Sequence, residues 1–296
     1  MKINSFYLVL LYAILISCGD EHKQPESKNY ISDDLHKKFE LQKPPQRIIT
    51  LAPNLTELVF ELGMGNRIIG NTSFCNYPDS AKDIPNVADL LTVNLERVAS
   101  LKPDLIFISA EGNSKSEYEK LIDLKFKVFV SNPRHYRGIK KTLRDMGRIF
   151  EVKQRAEGII ENWESRLDKI RKNKDQVLLN SAIFLVATNP IISIGKNSFI
   201  DQIISYAGLK NISDDSDISY PVFNREEILI RNPDFILLFE TNNNDVNELL
   251  NSYPEWNTLS AVVNKRVIYL NADLYSRPGP RFIDAVEDLH RKIVSH

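Results

Sequence analysis

Two glutamates occupy matching places in a chain that repeats itself. Glu96 lies in Asn94-Leu-Glu96-Arg-Val-Ala-Ser-Leu-Lys-Pro103-Asp104-Leu-Ile106, and Glu226 in Asn224-Arg-Glu226-Glu-Ile-Leu-Ile-Arg-Asn-Pro233-Asp234-Phe-Ile236. Asn, Glu, Pro, Asp and Ile recur at a constant offset of 130 residues. A carboxylate two residues after a capping Asn can support the helix N-terminus, or it can offer a partner protein a bidentate site for arginine. A second constellation, Asp273-Leu-Tyr275-Ser-Arg277-Pro-Gly-Pro-Arg281, sets an acid and a base four residues apart. Asp273 and Arg277 can pair with each other or act as acceptor and donor for a polar ligand, and Tyr275 between them is either a pocket wall or a surface ring.

Catalytic chemistry needs a constellation that this chain does not supply, and the sequence predicts no enzyme, no catalytic residue and no metal site. Of the five histidines, only His135 falls in a loop suited to a cleft; His22, His36, His290 and His296 lie toward the ends. There is no HExxH, no pair of cysteines at ligand spacing and no Gly-x-Ser-x-Gly, and Gly195-Lys196-Asn-Ser198 lacks the upstream glycine of a phosphate loop. A net charge of −1 and the absence of a recognition motif argue against nucleic acid as a partner. The basic stretches Lys125–Lys127 and Arg134–Lys141 read as solvated surface.

The elements that must hold these residues alternate. Each repeat copy reads as a short helix opened by Asn and stopped at a Pro-Asp turn, followed by a buried strand, Leu105–Ile108 or Phe235–Phe239. Arg47–Leu51 reads as a first strand. Asn54 is then expected to cap a helix, with Glu57 three residues on completing the capping box. Further strands are expected at Lys127–Val130, Ser181–Ala187 and Val267–Leu270, with helices at Phe199–Tyr206 and from Arg281 to about Val294. The longest helical pattern, Val152 to about Lys172, carries Val152, Ala156, Ile159, Ile160, Trp163, Leu167 and Ile170 on one stripe. The predicted fold is α/β: two similar lobes with mainly parallel sheets, joined by one long helix, with a ligand cleft between them. The boundaries are a leader at 1–17, a polar tether at 18–46, an N-terminal lobe at 47–150, the linking helix at 151–173 and a C-terminal lobe at 174–296.

The leader has Lys2, an apolar run from Phe6 to Ile16 too short to span a bilayer, and then Leu15-Ile-Ser-Cys18. This is the pattern of a bacterial lipoprotein signal. Cys18 is then the lipidated first residue of the mature chain, which is secreted across the inner membrane and held at a periplasmic or cell-envelope surface. Only Cys75 remains, so an internal disulfide is not expected.

Arg47-Ile-Ile-Thr-Leu-Ala-Pro53-Asn-Leu-Thr-Glu57-Leu, Asn94-Leu-Glu96-Arg-Val, Lys102-Pro103-Asp104-Leu and Pro280-Arg281 together resemble the helical-backbone (class III) substrate-binding proteins of ABC importers, and among them the members that bind vitamin B12. The resemblance runs from Arg47 to the C-terminus. It implies a monomer that takes a corrinoid as transported ligand, with no resident cofactor, and docks on the importer permease through Glu96 and Glu226. It places Phe74 and Tyr220 on aromatic pocket positions, Asp273 and Arg277 on the polar pair at the corrin edge, and Tyr275 beside them. Leu90 and Ile192 fall where the family has aromatic residues. Haem or an iron-siderophore is the alternative cargo. For haem, His135, Tyr136, Tyr220 or Tyr275 would be the axial ligand, and Arg134 or Arg277 the propionate partner.

Overall fold

A computed structural model of the chain describes residues 30–40, 42–89, 92–172, 180–242 and 244–296. The leader, Cys18 and Leu90 lie outside these residues. The N-terminal lobe runs β1 (Ile31–Ser32), β2 (Lys38–Phe39), β3 (Ile48–Thr50), α1 (Pro53–Glu61), β4 (Ile68–Thr72), β5 (Asn86–Ala88), α2 (Leu95–Leu101), β6 (Leu105–Ser109), α3 (Lys115–Asp123), β7 (Val128–Ser131) and α4 (Tyr136–Ile149). The linking helix α5 (Lys153–Lys172) follows. The C-terminal lobe runs β8 (Ser181–Thr188), β9 (Ile191–Ser193), α6 (Phe199–Ala207), β10 (Lys210–Asn211), β11 (Val222–Phe223), α7 (Arg225–Arg231) and β12 (Phe235–Phe239). It closes with α8 (Val246–Ser252), α9 (Ser260–Val263), β13 (Val267–Leu270), α10 (Ala272–Tyr275) and α11 (Phe282–Val294).

The first sheet is parallel, in the order β5-β4-β3-β6-β7. The second has the order β11-β9-β8-β12-β13, with β10 beside β8; β8, β12 and β13 run parallel and β9 runs antiparallel to β8. Helices cover both faces of each sheet, so the central strands are apolar without alternation. Side-chain direction still alternates. Leu105 and Phe107 of β6, like Phe235 and Leu237 of β12, enter a core shared by both lobes. Ile106 and Ile108, and Ile236 and Leu238, face a separate outer core in each lobe.

The linking helix buries Ala156, Ile160, Trp163, Leu167 and Ile170 in the shared core, and its length is about 30 Å. It is fastened at both ends. Arg144 meets Glu157 at 3.0 Å and Lys140 pairs with Glu164 on the N-terminal side. Arg166 donates to Glu287 at 2.8 and 2.7 Å and to Asp284 at 2.6 Å on the C-terminal side. Tyr136 of α4 stacks on Phe282 of α11 with ring centroids 4.9 Å apart. A strut clamped this way permits small rocking of the lobes rather than a wide hinge.

Three expectations are corrected. Residues 31–39, which composition assigns to the polar tether, form a hairpin that packs on the first lobe: Ile31 and Phe39 are buried, and Phe39 lies 5.2 Å from Phe129. Asp33 and Asp34 bond the edge strand β7, with Asp34 N donating to Val130 O at 3.0 Å and Asp34 Oδ2 accepting from Asn132 N at 2.6 Å. The hairpin thus covers a sheet edge that would otherwise expose unpaired backbone. Arg134–Lys141 is not simply solvated surface; it opens α4, which buries Tyr136, Ile139, Leu143 and Met146 while Lys140 and Lys141 point to carboxylates. Finally, α1 starts at Pro53 with Ala52 as N-cap and no side-chain cap. A proline at the first helical position is already suited to the helix start, which leaves Asn54 and Glu57 for other work.

Candidate functional site

The two lobes meet at loops that follow the carboxyl ends of parallel strands, where α/β sheets place their ligands. From the first lobe come the start of α1 after β3 and the loop Ser73–Tyr77 after β4. From the second come α10 and the turn Arg277–Arg281 after β13. The β4 loop is held from below: Cys75 is buried, with Sγ 3.1 Å from Thr56 Oγ1 and 3.3 Å from Thr72 Oγ1. Its neighbours Phe74, Asn76 and Tyr77 are exposed. Gly279 lets the lobes approach, since a Cβ there would stand 3.3 Å from that of Asn54, whose amide donates to Pro278 O at 3.1 Å.

Glu57 is the electrostatic centre of this contact. Its side chain is 1% exposed, and it accepts from Arg281 Nε and Nη2 at 2.9 and 2.6 Å, with Arg277 Nη1 at 3.6 Å. Burial pushes the Glu57 carboxyl above its ordinary value, against the pull of Arg281 and Arg277. Arg281 is held charged: burial opposes this, but its bond to Glu57 prevails. Arg281 also lies over the Tyr77 ring at 4.4 Å, a second link between the lobes.

Outside this ion pair sits a polar triad. Arg277 Nη2 donates to Asp273 Oδ1 at 2.5 Å, Asn76 Nδ2 donates to Asp273 Oδ2 at 2.6 Å, and Arg277 Nη1 donates to Asn76 Oδ1 at 2.7 Å. Beside it opens a cleft of about 510 Å³, lined by Val186, Ile194, Phe199, Tyr220, Phe239, Ser276 and Pro278 from the second lobe and by Glu111 and Arg134 from the first. Charged pairs rim it, Arg134 with Glu111 and Lys196 with Asp217, each at 2.7 Å. Gly195 shapes the wall: any Cβ there would collide with Ile218 O at 1.9 Å.

The structure joins Asp273 and Arg277, with Phe74 two residues from their partner Asn76 on the same loop, while Tyr220 lines the cleft together with Ser276 and Pro278, the chain neighbours of Arg277. Phe74 and Tyr220 remain 44% and 59% exposed. Ile192 is half-buried on β9, two residues before the cleft residue Ile194. Tyr275 is corrected: it is 1% exposed, in the shared core, and its hydroxyl donates to Asp288 at 2.9 Å. Burial pushes its phenol well above the ordinary range. The four-residue α10 turns Tyr275 inward while Asp273 and Arg277 face the other lobe. Sequence reading missed Asn76 in the triad and Phe199 and Phe239 at the cleft, and took Glu57 for a helix cap. Neither Glu57 nor Asn76 had a local signal, since their partners lie 224 and 197 to 201 residues away.

The repeat also has a structural meaning. Asn94 and Asn224 cap α2 and α7 by accepting from Arg97 N at 2.9 Å and Glu227 N at 2.7 Å. Both helices end in a left-handed residue, Lys102 and Asn232. Asp104 then accepts from the backbone of Gln46 and Arg47, each at 2.9 Å, and Asp234 from Ser181 N at 2.8 Å. Each Pro-Asp carboxylate so fastens the start of the neighbouring central strand. Glu96 and Glu226 take no part in these caps and stand exposed at equivalent places, with Arg225 3.4 Å from Glu226.

Residues 48–274 match the sequence profile of the periplasmic binding proteins. The chain is 30% identical over 252 residues to the vitamin B12-binding protein of Vibrio cholerae, covering 83% of this chain and 88% of that one. Its fold is similar to the crystal structure of the periplasmic vitamin B12-binding protein of V. cholerae, with a TM-score of 0.70, 30% identity and coverage of 84% and 97%. It is also similar to a possible iron-binding periplasmic solute-binding protein of Staphylococcus epidermidis, with a TM-score of 0.76, 26% identity and coverage of 85% and 99%.

Proposed function

The chain belongs to the periplasmic binding protein family, and within that family we propose that it captures a corrinoid between its lobes and presents it to the permease of an ABC importer. One observation carries the ligand class: exposed aromatics come from opposite lobes, Tyr220 from the cleft wall and Phe74 from the loop whose Asn76 bonds Asp273 and Arg277. A corrin is flat and apolar over its faces and carries amides around its rim, so it suits aromatic walls with a few oriented polar partners. The 30% identity to a vitamin B12-binding protein points the same way.

Glu96 and Glu226 are the permease contacts in this reading. They sit on equivalent helices, one per lobe, exposed and outside the capping networks. Carboxylates placed so can each receive an arginine fork from a two-fold partner. Cys18 carries the lipid that keeps the carrier at the membrane surface, and the protein works as a monomer.

Burial narrows the haem alternative. Of the four axial candidates, Tyr136 and Tyr275 are 3% and 1% exposed, which leaves only His135 and Tyr220 accessible. Titration of the full chain with cyanocobalamin, with haemin in parallel, tests the reading by calorimetry and visible absorption. One-to-one cobalamin binding supports it; a shifted haem band without cobalamin heat overturns it.

A further inference from the structure

Asn76 is the side chain that the first lobe contributes to the interlobe triad, and its chemistry is unusual for the place it fills. A primary carboxamide has an acceptor on one side and a donor on the other. Asn76 uses both: its Nδ2 donates to Asp273 Oδ2 at 2.6 Å and its Oδ1 accepts from Arg277 Nη1 at 2.7 Å. Charge fixes this orientation, because a flipped amide would set NH2 against the guanidinium and the carbonyl against the carboxylate.

Asp273 and Arg277 are locked side by side by their own bond at 2.5 Å, and together they present one edge with an acceptor next to a donor. That edge selects among ligand groups. A carboxylate would accept from Arg277 but face the charge of Asp273, and an amine would satisfy Asp273 but face Arg277. A primary carboxamide, lying in the plane of the pair, matches both with one rigid group. Arg277 keeps its place whatever lies in front of it, since Glu57 stands behind it at 3.6 Å and its side chain is 12% exposed.

We infer that Asn76 is a built-in occupant of the Asp273–Arg277 edge, which an amide of the incoming ligand must displace. The inference rests on the corrinoid reading, since the rim of a corrin carries such amides. Asn76 is exposed and its loop is anchored through Cys75 and Thr72, so the side chain can swing away while the loop stays folded. Exchanging one amide for another leaves the charged pair satisfied at every stage. A ligand rimmed by carboxylates offers no equivalent exchange and leaves Asn76 in place. The triad therefore filters ligands as well as holding the lobes together.

The test is calorimetric titration of cyanocobalamin into the full chain and into Asn76→Ala, Asp273→Ala and the double variant. A resident contact made nine-tenths of the time lowers apparent affinity about tenfold, so Asn76→Ala should bind up to about tenfold more tightly. Asp273→Ala should bind more weakly, and the double variant no more tightly than Asp273→Ala, because the edge that Asn76 occupies is then gone. An affinity of Asn76→Ala equal to or below that of the unaltered chain overturns the inference and makes Asn76 a bystander or a direct ligand contact. If the unaltered chain takes no cyanocobalamin, the corrinoid reading falls and takes this inference with it. Binding without a gain in Asn76→Ala sinks the role of Asn76 alone.

Discussion

Removal of Glu57 is the sharpest perturbation of the lobe contact. Glu57→Ala deletes a carboxylate that is 1% exposed and leaves Arg277 and Arg281, whose side chains are 12% and 13% exposed, without their shared counter-charge. Breaking a buried ion pair from one side costs about 3–5 kcal/mol. The lower end applies here, because Arg277 keeps Asp273 and Asn76, and Arg281 keeps Asp273 O at 3.1 Å and the Tyr77 ring. At roughly 2–4 °C of melting temperature per kcal/mol for a chain of this size, a loss of about 3 kcal/mol lowers the midpoint by roughly 6–12 °C. The assay is thermal unfolding followed by tryptophan fluorescence, which reports Trp163 in the linking helix and Trp256 in the outer core of the second lobe. Glu57→Gln, which keeps the shape and one acceptor, should fall between. A shift below about 2 °C in Glu57→Ala would refute the reasoning, since it would mean the lobes are held by the shared apolar core alone.

Three other outcomes are expected. Arg281→Ala removes the strongest influence that lowers the Glu57 carboxyl, so its folded-state pKa should rise further above the unfolded value of 4.5. The folded state then holds the extra proton in that window, so the stability of the variant should fall as pH rises through it, more steeply than that of the unaltered chain in urea melts from pH 4.5 upward. A chain cut to begin at Gln46 loses Ile31 and Phe39 from the core, and at about 1.5–3 kcal/mol per buried side chain, less the ordering of the hairpin, it should lose about 2–4 kcal/mol in urea unfolding. An unchanged midpoint would show the hairpin to be passive. Glu96→Ala with Glu226→Ala should leave cyanocobalamin affinity unchanged and abolish uptake in transport assays, and a loss of binding would show that docking and ligand contact are not separate.

Long, regular elements were legible because their signals are local. The stripe of the linking helix from Ala156 to Ile170 and the strand Phe235–Phe239 needed only period and flanking turns. The repeat was legible as well, although its Pro-Asp carboxylates proved to tie central strands together, a role that neither copy shows by itself. The hairpin at 31–39 was not legible, since Ile31 and Phe39 are two apolar residues in a polar stretch and gain their burial from distant partners, Phe129, β7 and α4. Helix α4 was hidden by its own charges: Lys140, Lys141 and Arg144 dominate the local composition, while Ile139, Leu143 and Met146 keep the buried period beneath them. Tyr275 was ambiguous for a different reason, because a helix of four residues offers too short a period to assign a face.

The start of α1 shows where local rules give way to the site. Asn54 and Glu57 stand three apart behind a strand, which is the spacing of a helix cap, yet neither caps anything. Pro53 and the backbone of Ala52 begin the helix instead, and the two side chains turn outward to Pro278 and Arg281 in the other lobe. A capping Asn contributes about 1 kcal/mol locally, so giving it up is a measurable cost unless the residues return more elsewhere. They do so through contacts some 224 residues away in sequence, which no local pattern can encode. The same holds for Asn76 and Arg277, joined across 201 residues. Sites between lobes are built from such distant pairs, so a motif that fits its local template and then fails to use it is itself a pointer to the cleft.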